Sequence, residues 1–258
     1  MKRCFPLLLA LLLCLPACGK KEQPRTEVVV FAAASLEAAL TEIAELYKTA
    51  APDVDLVFTF DSSGTLRTQI QEGAACDLFL SAGQSQMDDV EADYVAEGSR
   101  IDLLENKVVL AVPESDPAGI GSFAGLTSDR LTLLCIGNSD VPVGAYSLEI
   151  LDHLGLDIEA LEREGKVTYA SNVTEVATQV KEGAVDCGII YATDAATHGL
   201  TVVDEADETM CRRVVYPAAV IGSGSAPEAA QAFLDYLAAD GAAAGILENI
   251  GFTVLTRS

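Results

Sequence analysis

Residues 28–40, VVVFAAASLEAAL, carry the strongest structural signal in this chain. The first four residues are β-branched or aromatic and predict a short buried strand. A run of small residues follows, and Ser35 stands where a helix N-cap belongs. Beyond Ser35 the apolar residues recur at helical spacing, so these residues predict a strand that leads directly into an amphipathic helix.

The same strand-then-helix pattern recurs outward from this unit, with apolar strand candidates at 54–60, 77–81, 107–112, 131–136, 167–170, 187–191 and 212–221. Such alternation predicts an α/β fold of mostly parallel sheets flanked by helices. The strand at 107–112 ends at Pro113, and we interpret it as a crossover into a second lobe. The prediction is two lobes joined by two crossover strands, with residues 28–107 and 218–258 in lobe one and 108–217 in lobe two.

Residues 1–17 have the pattern of an export signal, with a basic start before an apolar run at 7–15. That run is too short to span a bilayer, which needs about 20 apolar residues in a helix. Residues 15–19 (LPACG) resemble the bacterial lipobox, which favours lipidation of Cys18 over an ordinary cleaved signal. Residues 18–27 are polar and predict a tether. We therefore expect an extracytoplasmic protein held at a membrane by lipid on Cys18.

The chain is strongly acidic, with a formal net charge of −23 over 258 residues. Such a surface argues against nucleic acid as a partner. Beyond Cys18 four cysteines remain, Cys76, Cys135, Cys187 and Cys211. Their spacing matches no zinc motif, and it leaves open whether they form disulfides or are buried as small apolar residues. No resident metal or cofactor is expected.

Four predicted strand-to-helix loops, at 32–35, 62–64, 141–144 and 171–173, are short of charged side chains. In open α/β sheets ligands bind beyond the carboxyl ends of the strands. Helix N-termini there offer unpaired N–H groups and about half a unit of positive charge. Any one serine in these loops is explained as an N-cap, whereas the four loops together favour a site for an anion.

Seven motifs, in chain order, resemble one family. They are Phe31–Leu36 (FAAASL), Phe60–Leu66 (FDSSGTL), Asp77–Ala82 (DLFLSA), Val141–Tyr146 (VPVGAY), Gly188–Ala195 (GIIYATDA), Val215–Val220 (VYPAAV) and Gly251–Thr253 (GFT). The family is the periplasmic molybdate-binding proteins of ABC importers, and the resemblance covers residues 28–254. It implies the type II periplasmic binding protein fold, with a tetrahedral oxyanion held between two lobes by uncharged donors.

The resemblance also implies roles for five residues. Ser35 and Ser63 would supply hydroxyl and backbone donors from lobe one. Val143 and Val173 would supply backbone N–H groups from lobe two, and Tyr191 its phenol hydroxyl. Molybdenum would be present only within the oxyanion, molybdate or tungstate, without direct protein ligands. A monomeric protein would deliver this cargo to the permease of an importer.

Asp61 departs from the family pattern because it places a carboxylate two residues before Ser63. A carboxylate that faced the cleft would repel a dianion. We therefore expect Asp61 to point away from the cleft or to cap the second helix.

Three alternatives stay open. The cargo could be another tetrahedral oxyanion, such as sulfate or phosphate, or the protein could be a sensor without a transport role. An enzyme on the same two-lobed fold is the third. The sequence has no nucleophile elbow, P-loop, dinucleotide fingerprint or zinc-protease motif. His153 and His198 fit structural or solvated roles, so binding is favoured over catalysis.

Overall fold

The computed structural model describes residues 25–239 and 241–255. Its strands are β1 (Thr26–Ala33), β2 (Val54–Asp61), β3 (Leu78–Leu80), β4 (Ile101–Asn106), β5 (Val108–Val112), β6 (Leu134–Gly137), β7 (Val167–Ala170), β8 (Cys187–Tyr191), β9 (Thr201–Glu205), β10 (Val214–Val220) and β11 (Thr253–Val254). Its helices are α1 (Glu37–Ala50), α2 (Ser63–Gln71), α3 (Gln84–Tyr94), α4 (Pro142–His153), α5 (Ile158–Arg163), α6 (Val173–Lys181), α7 (Ala192–His198), α8 (Pro227–Ala238) and α9 (Ala242–Ile250). Within this described part, none of the helices combines the length and the apolar character that crossing a membrane requires.

The predicted signal peptide at 1–17 and the predicted lipid site at Cys18 lie outside the described residues. So does most of the predicted tether at 18–27. Its last two residues, Thr26 and Glu27, already belong to β1.

The first sheet has six strands in the order β11-β4-β10-β3-β1-β2. β1 pairs in parallel with β2 and β3, whereas β10 runs antiparallel to both β3 and β4. β1 is buried on both faces, since Val28 and Val30 pack into one apolar cluster and Phe31 into another. Burial on both faces explains why this strand has a continuous apolar sequence instead of an alternating one.

The second sheet has five strands in the order β7-β6-β8-β5-β9. β6 pairs in parallel with β7 and β8, and β5 pairs antiparallel with β8 and β9. The predicted two-lobed α/β class is confirmed, but both sheets are mixed instead of mostly parallel. A βα unit returns each strand in the same direction, whereas β5 and β10 enter from the other lobe and run against their neighbours.

The chain leaves the first sheet after Asn106, enters the second at Val108 and returns to the first at Val214. Lys107 therefore links the two sheets instead of starting a strand. Residues 214–217 pair with β4, although the sequence-based limit assigned 108–217 to lobe two. The lobe limits stay a prediction.

A bulge occurs in β10 between Tyr216 and Pro217. It coincides with a residue that has no N–H to donate to the neighbouring strand.

The four cysteines of the described domain, Cys76, Cys135, Cys187 and Cys211, are free and buried. Burial raises the pKa of Cys76 and that of Cys135 to about 12. These two thiols therefore stay protonated at neutral pH, as expected of small apolar residues in a core.

Candidate functional site

A small cavity, about 10 Å³ in volume, lies between the two sheets, where strands of both lobes lead into helices. It is lined by Ala33, Ala34, Ser35, Asp61, Ser62, Ser63, Ala82, Val141, Pro142, Val173 and Tyr191. Four of the five predicted site residues are in this set. The fifth, Val143, follows Pro142 in the chain, is fully buried and does not itself line the cavity.

Ser63 enters the cavity from the first position of α2 and is fully buried. The neighbouring Ser62 is the helix N-cap, and its hydroxyl accepts a hydrogen bond from the Thr65 N–H at 3.1 Å. Ser63 is thus free of the capping role. Its Oγ accepts from the Ala82 N–H at 2.9 Å. A hydroxyl that accepts in this way keeps its own hydrogen, so Ser63 can donate to a bound anion.

Ser35 lies in a 3₁₀ turn, Ala34–Leu36, that precedes α1, and its side chain caps no helix. The predicted N-cap role is therefore wrong. Its hydroxyl instead lies 3.0 Å from the hydroxyl of Tyr216 in β10. Residue spacing could not show this partner because the two residues are 181 positions apart. The contact holds the Ser35 side chain at the cavity wall.

Asp61 is among the residues that line the cavity. Its Oδ1 accepts the Ser62 N–H at 2.7 Å, while Ser62 and not Asp61 caps α2. The expectation that Asp61 caps α2 is therefore wrong, whereas the orientation of its carboxylate away from the cleft stays a prediction. The carboxylate uses one backbone donor of the loop.

Lobe two presents two helix N-termini. α4 begins at Pro142, which has no N–H, so Val143 carries the first free amide of that helix. α6 begins at Val173, and its N-cap Asn172 accepts from the Glu175 N–H at 2.9 Å. Because each helix leaves first-turn N–H groups without intrahelical partners, both ends can supply backbone donors to an anion.

Tyr191 is the last residue of β8 and is almost completely buried. Its hydroxyl donates to the carbonyl of Ala82 in the other lobe at 3.4 Å. Its ring packs edge-on against Tyr146 and Tyr216, with centroids 6.4 Å and 5.6 Å away. Burial, first of all, raises the pKa of Tyr191 well above its ordinary value. The phenol is therefore neutral and keeps one hydrogen, which would have to turn from the Ala82 carbonyl to donate to a bound anion.

Sequence reasoning missed a buried polar cluster behind Ser35 and Tyr191. The Asn106 side-chain amide donates to the Thr193 hydroxyl at 2.9 Å and to the Tyr216 hydroxyl at 3.2 Å. Asp194 is buried beside Thr193, and burial raises the pKa of its carboxyl to about 7. Thr193 and Asp194 lie in the same motif as Tyr191, which was the only signal for them.

The cavity contains no cationic side chain, since Lys and Arg are absent from its described lining. Within residues 25–239 and 241–255, no cluster of three or more His, Cys, Asp and Glu side chains could hold a metal ion. His198 lies in a neighbouring crevice, and burial, with a smaller effect of Lys181, lowers its pKa. The arrangement can therefore offer neutral donors to a ligand.

Comparison with known proteins matches residues 28–253 to the family described as bacterial extracellular solute-binding protein. The chain is 35% identical over 235 residues to molybdate-binding protein ModA of Escherichia coli (strain K12), covering 88% of this chain and 89% of the relative. It is 32% identical over 233 residues to YvgL of Bacillus subtilis (strain 168), covering 90% and 88%. YvgL is provisionally named an ABC transporter substrate-binding lipoprotein.

Among solved structures, the periplasmic molybdate-binding protein of Azotobacter vinelandii has a TM-score of 0.78 at 21% identity, covering 89% of this chain and all of that one. This likeness shows the fold. A more distant relative from a Pseudomonas species, 23% identical over 239 residues, is named aconitate isomerase. The more similar relatives are named as binding proteins of transporters and not as enzymes. The chain belongs to the bacterial extracellular solute-binding protein family, and its resemblance to the molybdate-binding proteins is confirmed.

Proposed function

We propose that this protein captures molybdate between its two lobes and delivers it to an ABC importer. One observation carries the proposal: Ser35, Ser63, Val173 and Tyr191, which are far apart in the sequence, line one small cavity. The relatives named as molybdate-binding proteins support the choice of oxyanion. Val143 would complete the set through its backbone amide.

Neutral donors can hold a dianion if enough of them converge in a dry cleft. Each hydrogen bond to a charged acceptor contributes about 1.5 to 3 kcal/mol. The N-termini of α2, α4 and α6 add partial positive charge at short range. These contributions oppose the net charge of −23, which acts mostly through solvent and is screened by salt.

We further propose that the protein works outside the cytoplasm as a monomer, anchored by lipid on Cys18. The family description as extracellular and the lipoprotein name of YvgL support this location. Tungstate is nearly the same size and charge as molybdate, so it would be a second cargo. Molybdenum would enter only as this cargo, and no resident cofactor is proposed.

Calorimetric titration of the purified protein with molybdate, tungstate, sulfate and phosphate tests the proposal. We expect strong binding of molybdate and tungstate and weak or no binding of sulfate and phosphate. No detectable molybdate binding together with strong sulfate binding would overturn the choice of molybdate as the cargo.

Hydrogen phosphate is a second candidate because of one observation, the presence of Asp61 among the residues that line the cavity. A protonated oxyanion carries an O–H that needs an acceptor, and a carboxylate supplies one. Molybdate has no such hydrogen and would meet only repulsion from Asp61. The phosphate arm of the same titration decides between the two.

A further inference from the structure

The two lobes touch at backbone level beside the cavity. The N–H of Gly64, the second residue of α2, donates to the carbonyl of Asp140 at 2.9 Å. Asp140 immediately precedes Val141, the N-cap of α4. This single contact therefore joins the two helix N-termini that flank the cavity from opposite lobes.

Gly64 leaves no space for a side chain. A Cβ at this position would lie 2.3 Å from the carbonyl oxygen of Asp140 and 2.7 Å from its Cα. Both are backbone atoms and cannot rotate away, so any side chain at 64 would push the lobes apart. Gly73 differs from Gly64 because the described residues leave space for a Cβ at position 73. Its φ of +86°, which glycine adopts more readily than other residues, explains the glycine there. Gly64 is required by the close approach of the other lobe.

Asp140 is held firmly in its loop. Its N–H donates to Asn138 Oδ1 at 2.8 Å, and the Val141 N–H donates to the Asn138 carbonyl at 3.1 Å. Its carboxylate lies 3.9 Å from Arg67 Nη2 across the lobe boundary. The Asp140 side chain is 57% exposed, so this ion pair contributes little. The contact between the Gly64 and Asp140 backbones therefore holds the two lobes together more strongly than the ion pair does.

A second contact follows the same boundary. A Cβ on Gly83 would lie 3.0 Å from Pro142 Cβ, and the hydroxyl of Tyr191 reaches the Ala82 carbonyl at 3.4 Å. Residues 140–142 of lobe two thus approach both the start of α2 and the 82–83 loop of lobe one. The two lobes are therefore in close contact along this edge of the cavity.

We infer that Gly64 and Asp140 are the positioning pair that sets how far the lobes close over the oxyanion. The inference rests on the proposed function. Ser63 belongs to one lobe and Val173 and Tyr191 to the other, so their donors meet the same ion only at one spacing. Contact between the backbones of Gly64 and Asp140 limits how closely the two lobes can approach each other. This limit determines which size of ion the donors of both lobes can bind together.

Gly64→Ala tests the inference. Alanine suits the first turn of a helix, so α2 should form and circular dichroism should show an unchanged fold. We expect the affinity for the best-bound ion among molybdate, tungstate, sulfate and phosphate to fall by about tenfold or more. X-ray scattering at saturating ion should also give a larger radius of gyration than wild type, and the unchanged circular dichroism would exclude partial unfolding as its cause.

Gly245→Ala is the matched control, because among residues 25–239 and 241–255 no atom outside its own helix backbone lies within 4 Å of that missing Cβ. Its ion affinity and its radius of gyration at saturating ion should equal those of wild type. Asp140→Asn removes the ion pair but keeps the carbonyl, and should weaken binding by less than about fivefold.

Three results would overturn the inference. If Gly64→Ala keeps the wild-type affinity and the wild-type radius of gyration, the contact does not limit lobe closure. If Asp140→Asn binds the ion as weakly as Gly64→Ala, the effect arises from charge. Wild-type protein that binds none of the four ions overturns the proposed function and this inference with it.

Discussion

At the scale of single residues, Ser63 and Tyr191 reach the cavity from opposite lobes and both carry a neutral hydroxyl. Their roles in binding stay predictions, as do those of Ser35, Val143 and Val173. The structure adds the reason that the two hydroxyls can donate. Ser63 already accepts from Ala82, and burial keeps Tyr191 protonated.

We expect Ser63→Ala and Tyr191→Phe each to weaken oxyanion binding by about 1 to 3 kcal/mol, because each removes one donor to a charged acceptor. Calorimetry measures the loss. Ser99→Ala is the control, since Ser99 is a buried serine whose hydroxyl bonds Ala96 and Val220 away from the cavity. Unaltered affinity in both site variants would place the pocket elsewhere.

Asp61 is the one acidic residue in the described lining of the cavity. If its carboxylate came within about 6 Å of a dianion, the two would repel by about 1.4 kcal/mol even with water-like screening, which is about tenfold in affinity. Asp61→Asn keeps an acceptor for the Ser62 N–H and removes the charge, so molybdate affinity should rise by about that factor. Weaker molybdate binding in this variant would show that the carboxylate assists the ligand.

Asp194 should make stability depend on pH. Its folded pKa of about 7 lies above the ordinary 3.8, so the carboxyl favours the fold only while protonated. That contribution is complete below the unfolded pKa and is lost as pH rises through about 7. The melting temperature of wild type should therefore fall relative to Asp194→Asn between about pH 4 and 8. Parallel pH profiles would contradict this.

At the scale of elements, two helices of lobe two have side-chain caps of the same kind. Asn172 caps α6, whose first residue lines the cavity, and Asp157 caps α5. Removing each cap in turn therefore distinguishes an effect on helix stability from an effect on ligand binding.

Asn172→Ala and Asp157→Ala should each cost about 1 kcal/mol of stability, measured by urea unfolding. Only Asn172→Ala should also weaken oxyanion binding, because the loop that presents the Val173 amide loses its anchor. Equal oxyanion affinities in the two variants would show that α6 does not contribute to the site.

At the scale of the whole molecule, an acidic protein is proposed to collect an anion. The net charge of −23 repels the approaching ion at long range, while the cavity attracts it only at short range. Charge should therefore slow capture without preventing tight binding.

Raising ionic strength from about 0.01 M to 0.15 M shortens the Debye length from about 30 Å to 8 Å. The association rate of molybdate, measured by stopped flow, should rise over this range because the repulsion is screened. A rate that falls with salt would indicate a cationic entrance that the proposed site lacks.

Much of this protein was predictable from local pattern. Continuous apolar runs such as Val28–Phe31 mark strands buried on both faces, and helical spacing after Ser35 marks α1. These signals depend on neighbours along the chain, so the α/β class and the loops at strand ends follow from local residue patterns. Matching motifs along the chain also identified the family.

Tertiary structure alone decided the rest, because the deciding contacts join residues distant in the chain. Ser35 meets Tyr216 rather than capping a helix, and Asp61 lines the same cavity as Tyr191 of the other lobe. Strands that cross between lobes run against their neighbours, which no local period encodes. Gly64 is glycine because Asp140 of the other lobe approaches its backbone, and this requirement exists only when the two lobes are side by side.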